Sequence, residues 1–557
     1  MLLEPFLRQC RHQPEAVALV ENGRCIRYGE LLARSHSIAA RLQGMGIKPG
    51  QPVAIYLDRG IDAVMALFGV LLAGACYVPL DLKNPLPRLA SIITDAQVAA
   101  VLGLGAVPTW LARKSWLDVT DCPEAIPKPV ETQADSLAAI LYTSGSTGQA
   151  RGVALSHGAI ASFARWATDL VTLSSTDRIA SSAPFFFDLS TFDLYAVLGC
   201  GASLHFVPSA LALAPARLSV WLKGQEINGW YTVPSLLAFL AYKGNLAQTP
   251  LDHLRFLIFA GEVFPTPALM DLAAKLPRTA LYNFFGPTET NVCCYWPVDR
   301  ARLSPDRPIP IGLPAAGCEL YIHDETGELW VRGPTLASGY WIDGGLQAFN
   351  GKSQVPLFEK RRVGGISTKG GSGVNAVELA PPPNGGRLGG GRSNGSEASD
   401  LTSTHTNLSP QGEASGFNST ALGTASPVNE NWYPTGDRVS LVDGEYQFHG
   451  RLGRMLKCAG YRVEPSEIEA SVNAMDGVRA CAVVGIDDPT VGQRPALALA
   501  LEPWVALADI RKALARQLPA YMQPSRCLVL QELPRLPNGK LDYNRVQALL
   551  VDTAFLS

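Results

Sequence analysis

From residue 16 to about residue 345, short apolar runs (VAIYL, AAVLGL, AAILYT, RIASSA, LHFVP, FLIFAG, ALYNFFG) alternate with longer amphipathic stretches such as ELLARSHSIAARLQGMG. Runs of this length suit strands buried on both faces, and the stretches between them have the length and pattern of the helical crossovers that parallel strands require. The expected class is therefore α/β, with parallel-type sheets layered with helices in a large N-terminal domain. One run, AVMALFGVLLAGACYVP (Ala63 to Pro79), approaches the roughly 20 apolar residues of a membrane span. Gly69, Gly74 and Pro79 divide it, which predicts a helix ending at Gly74 and then a strand, the ordinary step of a buried α/β unit.

The texture changes after that. Residues 351–428 are rich in Gly, Ser and Pro and have no periodicity, so they are expected to be a disordered insertion. Regular texture resumes at NWYPTGD. Beyond Gly453 helical patterns (PSEIEASVNAM, LADIRKALARQL) and strand patterns (ACAVVGI, ALALAL, CLVLQE) form a small α+β unit. The expected organisation is an N-terminal core over 1–350, the insertion over 351–428, the end of the core over 429–452, and a small mobile C-terminal domain over 453–557.

Charge and cysteine content exclude several classes of function. Lys and Arg total 47 against 49 Asp and Glu, which leaves no global charge to attract nucleic acid or an anionic membrane. The N-terminal segment carries Glu4, Arg8, Arg11 and Pro14 where a signal peptide needs an apolar core. Eleven cysteines without a CxxC pair read as small core residues in a reducing compartment, and a cytoplasmic location is expected.

The segment LYTSGSTGQARG (141–152) follows a buried-strand pattern and precedes a strand that turns into a helix, so it is too tightly framed to be a linker. Glycines at 145, 148 and 152 permit close backbone approach, while Thr143, Ser144, Ser146 and Thr147 add hydroxyls, a composition suited to polyphosphate. It is not a Walker loop, because Gly-Lys-Ser/Thr is absent.

Four further segments follow in order: YNFFGPTETN (282–291), YPTGDR (433–438), GRLGRMLKCAGYRVEPSEIE (450–469) and PNGKLD (537–542). With these the chain resembles the adenylate-forming superfamily of acyl-CoA ligases, luciferases and amino-acid adenylation domains. The likeness is strongest to free-standing enzymes that load carrier proteins, such as prolyl- or D-alanyl-carrier protein ligases. The resemblance implies ATP and Mg²⁺. Thr143, Ser144, Gly145, Ser146, Thr147 and Gly148, with Arg151 and Gly152, would close over the β and γ phosphates, although Ala150 stands where the family usually has proline. Thr288 would meet the α-phosphate, Glu289 would hold Mg²⁺, and Phe285, where tyrosine is usual, would stack on adenine. Asp437 and Arg451, by themselves a turn carboxylate and a surface arginine, would contact the ribose. Lys540, by itself an exposed turn lysine, would swing into the site and bridge the substrate carboxylate and the nucleotide. Gly453 falls at the family's hinge, where Asp or Lys is typical.

Asp188, in FDLS, sits where the amino-acid branch has the carboxylate that pairs with the substrate ammonium; its bland reading is a helix N-cap. The matching pocket positions are Asp188, Leu189, Phe192, Thr232, Ile258, Ala260, Phe284, Val292, Cys293 and Lys540. An otherwise apolar lining implies a small or medium apolar amino acid, proline before alanine. The chain stops seventeen residues after Lys540 without a carrier module, so the expected acceptor is the pantetheine thiol of a separate carrier protein, with no nucleic acid or membrane partner. Two other readings stay open: an acyl-CoA ligase using free CoA, and an inactive adenylation-like binding protein.

Overall fold

The computed structural model describes residues 2–111, 114–145, 150–349, 432–488, 492–536 and 540–552. The expected insertion, like Ser146, Thr147 and Gly148, lies outside the described residues.

Two large sheets carry the N-terminal part. In the first, the strands Trp116–Asp118, Ala100–Gly103, Pro52–Ile55, Cys76–Pro79 and Leu137–Thr143 run parallel, and Arg151–Ser156, Gly339–Ile342 and Gly345–Gln347 extend the edge antiparallel. In the second, a parallel centre (Val17–Glu21, Ser203–Phe206, Arg178–Ser181, Gly229–Thr232, Phe256–Phe259, Ala280–Phe285) is flanked by antiparallel strands on both sides. The parallel-type expectation thus describes the sheet interiors, and the antiparallel edges add to it.

The apolar run at 63–79 is accounted for by its place in this layering. The helix Ile61–Leu72 is buried at nearly every position, which is why it is apolar all round, and it leads through Gly74 into the strand Cys76–Pro79. Gly74 has φ +79°, and a Cβ there would come within 2.6 Å of Val130 Cγ1, so only glycine ends this helix without strain. No helix among the described residues is long and apolar enough to cross a membrane. One apolar core joins the two sheets, with Phe68 of this helix packed against Phe6 and Tyr195.

A third, antiparallel sheet combines strands from both sides of the insertion: Glu319–Ile322 and Glu328–Arg332 pair with Tyr433–Val442 and Glu445–Arg451. Beyond it the hairpin Leu456–Cys458/Tyr461–Val463, the long pair Val478–Asp488/Gly492–Leu501 and the strand Arg526–Val529 form a fourth sheet. The helices Pro465–Asn473, Leu507–Gln517 and Tyr543–Asp552 accompany it, as the α+β pattern predicts. Val463, Ile468, Leu497 and Leu514 are among the residues of a separate core here.

Candidate functional site

The C-terminal ends of the second sheet's parallel strands, the end of the strand Leu137–Thr143 and the hairpin Leu456–Val463 enclose a cavity of about 900 Å³. Strand ends are where an open α/β sheet leaves a crevice, because the connecting chains separate there. Of the expected residues, Thr143, Ser144, Asp188, Leu189, Thr232, Ala260, Thr288, Val292 and Arg451 line it.

Asp188 faces the cavity from the turn before the helical segment that starts at Ser190. It is no side-chain cap: the turn is tied by its main-chain carbonyl, which accepts from the Thr191 N–H (2.9 Å) and hydroxyl (2.6 Å). Burial pushes the carboxyl up to about 7, against backbone N–H groups and Lys457, which pull it down. A carboxylate so placed gains most from a cation that enters with a ligand.

Phe192, Ile258, Phe284 and Cys293, matched to the pocket by resemblance, lie one layer deeper, fully buried in the core. Between the two phenylalanines and the cavity stands Tyr231, with ring centroids 5.8 Å from Phe192 and 5.6 Å from Phe284. Beside it Ser182 and Thr232 share a 3.0 Å hydroxyl contact, and Trp230 Nε1 donates to Ser182 Oγ at 3.0 Å. The pocket floor is therefore an aromatic ring plus a hydroxyl pair. Neither Tyr231 nor Ser182 was found by matching positions.

At the nucleotide end the expected residues divide. Phe285 is buried, its ring 5.7 Å from Phe448, and Lys457 Nζ lies 5.5 Å from its centroid. Asp437 is fully buried in a cross-strand ion pair with Arg451 (2.8 Å), and it is Arg451 that reaches the cavity surface. Arg151 lies over the Tyr340 ring at 5.4 Å. Gly152 has a packing reason to be glycine, since a Cβ would come within 2.7 Å of Ile140 Cγ2. Gly145 is buried.

The fourth sheet supplies cations that sequence reading passed over. Lys457 and Arg462 are directly opposed across the hairpin, Lys457↔Arg462, and both line the cavity. Two like charges in register destabilise a hairpin unless their common face meets anions. Here they do: Arg462 Nη1 lies 2.9 and 3.1 Å from the two oxygens of Glu289. The connecting turn has φ +51° at Ala459 and +83° at Gly460, the two-residue geometry that twists with the strands. Burial lowers Lys457 to about 8, helped by Arg451 and opposed by Asp437 and Glu262. Burial alone would raise Glu289, but Arg462 and the Tyr340 hydroxyl, which donates at 2.9 Å, outweigh it and hold the carboxyl below its ordinary value. Ser144 donates from Oγ to the Arg462 carbonyl at 2.6 Å.

Glu289 fits a Mg²⁺ ligand. It is 1% exposed and already faces a cation-accepting position, which the guanidinium fills. A single carboxylate suits Mg²⁺, which draws its other ligands from waters and substrate phosphates. Lys540 is exposed on its loop and does not line the cavity, and Gly453 lies in an exposed bend with nothing within 4 Å of a Cβ position.

The sequence matches the family described as AMP-binding enzyme over residues 6–341, and that family's C-terminal domain over residues 467–540. It is similar to the L-proline--[L-prolyl-carrier protein] ligase of Streptomyces coelicolor, 33% identical over 94% of this chain and 91% of that protein. The protein of the same name from Pseudomonas fluorescens is 30% identical over 97% and 98%. Among solved structures, the amide bond synthetase McbA from Marinactinospora thermotolerans superposes with a TM-score of 0.75 at 20% identity, covering 98% of this chain and 99% of that one. The o-succinylbenzoate CoA synthetase from Bacillus subtilis gives 0.73 at 19%, covering 98% of each. These structural likenesses concern the fold.

Proposed function

The chain belongs to the AMP-binding enzyme family, and from that premise we propose that it joins a small apolar amino acid to the pantetheine thiol of a separate carrier protein in the cytoplasm. The reaction has two steps. A carboxylate oxygen of the amino acid attacks the α-phosphorus of ATP and pyrophosphate leaves; the pantetheine sulfur then attacks the acyl carbon and AMP leaves. The first step brings two anions together, so cations fixed around the reacting phosphate lower its barrier. Mg²⁺ held by Glu289 would neutralise phosphate charge.

The observation that carries the amino-acid reading is Asp188: a carboxylate on the wall of the same cavity that Thr143, Ser144, Thr288 and Lys457 line, raised to about 7 by burial. An incoming ammonium satisfies it. Tyr231, Leu189, Val292 and Ala260 leave an apolar side-chain space, and we read proline as the substrate, in line with the two prolyl-carrier ligases to which the chain is similar. Lys540 would act in the first step after the C-terminal domain turns about Gly453, since in the arrangement described here it is exposed.

ATP–pyrophosphate exchange tests this. Proline should support exchange and its des-amino analogue should not, and the activated residue should pass to a phosphopantetheinylated carrier in preference to free CoA. A fatty or aryl acid outperforming every amino acid would overturn the reading.

A further inference from the structure

The turn that carries Asp188 is held from behind. Its main-chain carbonyl accepts the Thr191 hydroxyl at 2.6 Å, and the Thr191 oxygen in turn lies 3.1 Å from the side-chain nitrogen of Asn291. Thr191 and Asn291 are 100 residues apart in the chain, and both are buried. The direction of these bonds follows from the groups themselves. A carbonyl only accepts, so the single hydroxyl hydrogen of Thr191 goes to Asp188, and its oxygen has only lone pairs left for Asn291. Asn291 must therefore present its NH₂ group there. The hydrogen bonds run one way, from Asn291 through Thr191 to the Asp188 main chain.

Asn291 is itself fixed in its loop. It has φ +55°, its N–H donates to the Thr288 carbonyl at 3.3 Å, and a Cβ on Gly286 would come within 1.9 Å of its carbonyl oxygen. Glycine or an ionised aspartate would suit the left-handed backbone equally well, but neither supplies a side-chain donor that Thr191 can accept. The same loop presents Pro287 and Thr288 to the cavity.

We propose that Asn291 is a positioning residue for the amino acid: through Thr191 it fixes the Asp188 turn against the loop that carries Thr288, and so sets where the substrate stands relative to the α-phosphate. This rests on the reading of Asp188 as the partner of the substrate ammonium and deepens it. In an α-amino acid the carboxylate carbon is two bonds from the ammonium nitrogen, so a shift of the Asp188 turn passes directly to the attacking oxygen. A misplacement of about 1 Å can cost on the order of a hundredfold in rate.

The test measures ATP–pyrophosphate exchange by the full-length protein with proline, varying each substrate in turn. Thr191→Val keeps the main-chain N–H bond to Asp188 and removes the hydroxyl. Asn291→Gly keeps the left-handed backbone and removes the amide. Each should raise the amino-acid KM roughly three- to tenfold, the effect of one buried hydrogen bond, and lower kcat, with the KM for ATP unchanged. Loss of folded protein lowers the maximal rate and leaves both KM values alone, so the split is readable even in a variant that folds poorly. Thr191→Ser, which keeps the hydroxyl, should restore the wild-type KM. Because the two residues act in series, the double variant Thr191→Val/Asn291→Gly should be no worse than the worse single one, whereas independent contributions would add. A wild-type amino-acid KM in both single variants, additive losses in the double one, or an equal rise in the KM for ATP overturns the inference. The ammonium reading then still stands if Asp188→Asn has lost exchange. Full exchange in Asp188→Asn overturns both.

Discussion

Asp188 combines a cost to the fold with its proposed use in binding. Burial raises its folded pKa from near 4 to about 7, so folding takes up a proton between those values. The group's contribution to stability is then fully present below about pH 4 and lost as pH rises through about 7. Asp188→Asn, which keeps the shape without the charge, should melt at a higher temperature than wild type at pH 8 and close to it at pH 5. The same variant should lose amino-acid-dependent exchange by roughly two to four orders of magnitude, because removing one partner of a buried charge pair costs about 3–5 kcal/mol. In the wild type the apparent KM for the amino acid should fall as pH is raised from 6 to 8, since only the ionised carboxylate pairs with the ammonium. A KM flat over that range, or full activity in Asp188→Asn, would remove the residue from the site. Lys540→Ala gives the opposite pattern: its side chain is exposed, so melting should be unchanged while pyrophosphate exchange is lost.

The hairpin Leu456–Val463 and the bend before it carry the case at the scale of elements. Gly453 separates the last strand of the third sheet from the first of the fourth, with open space around its Cα. If the C-terminal domain turns there between the two steps, Gly453→Pro, by fixing φ, should hold one arrangement and make the two half-reactions unequal by an order of magnitude or more. Loss of both by the same factor would count against a hinge. The hairpin also marks what could be read from the chain alone. Crossovers, the Gly74 helix end and the fourth sheet's strands are local patterns, and they were legible. That Lys457 faces Arg462 is a matter of register between strands, and what made it a signal, Glu289, is 173 residues away along the chain. Position matching named Asp188, Leu189, Thr232, Ala260 and Val292, which line the cavity, together with Phe192 and Phe284 as pocket residues, because it could not show that Tyr231 lies between those two rings and the cavity. The third sheet escaped for the same reason: its strands come from two sides of a long interruption.

That interruption poses the question of the whole molecule. Residues 351–428 separate segments that the fold brings together, for the Phe349 ring lies 4.8 Å from that of Tyr433 and 5.1 Å from that of Tyr340. The described residues on either side of it therefore meet at one place. Removing residues 352–428 leaves Asn350, Gly351, Asn429, Glu430 and Asn431 as the bridge, and at roughly 3.3–3.6 Å of reach per residue they span the gap without pulling on either strand. Loop closure also becomes less costly, by about 0.6 kcal/mol for each halving of length, so the deletion should melt at the same temperature or a degree or two higher. Pyrophosphate exchange should be unchanged, because both segments that meet at this point keep their partners: Tyr340 its bond to Glu289, and the strand Tyr433–Val442 its Asp437 pairing with Arg451. An insoluble product would show that residues 352–428 belong to the fold. Exchange that appears only after the deletion would mean that the segment silences the enzyme, the outcome expected of an inactive adenylation-like protein.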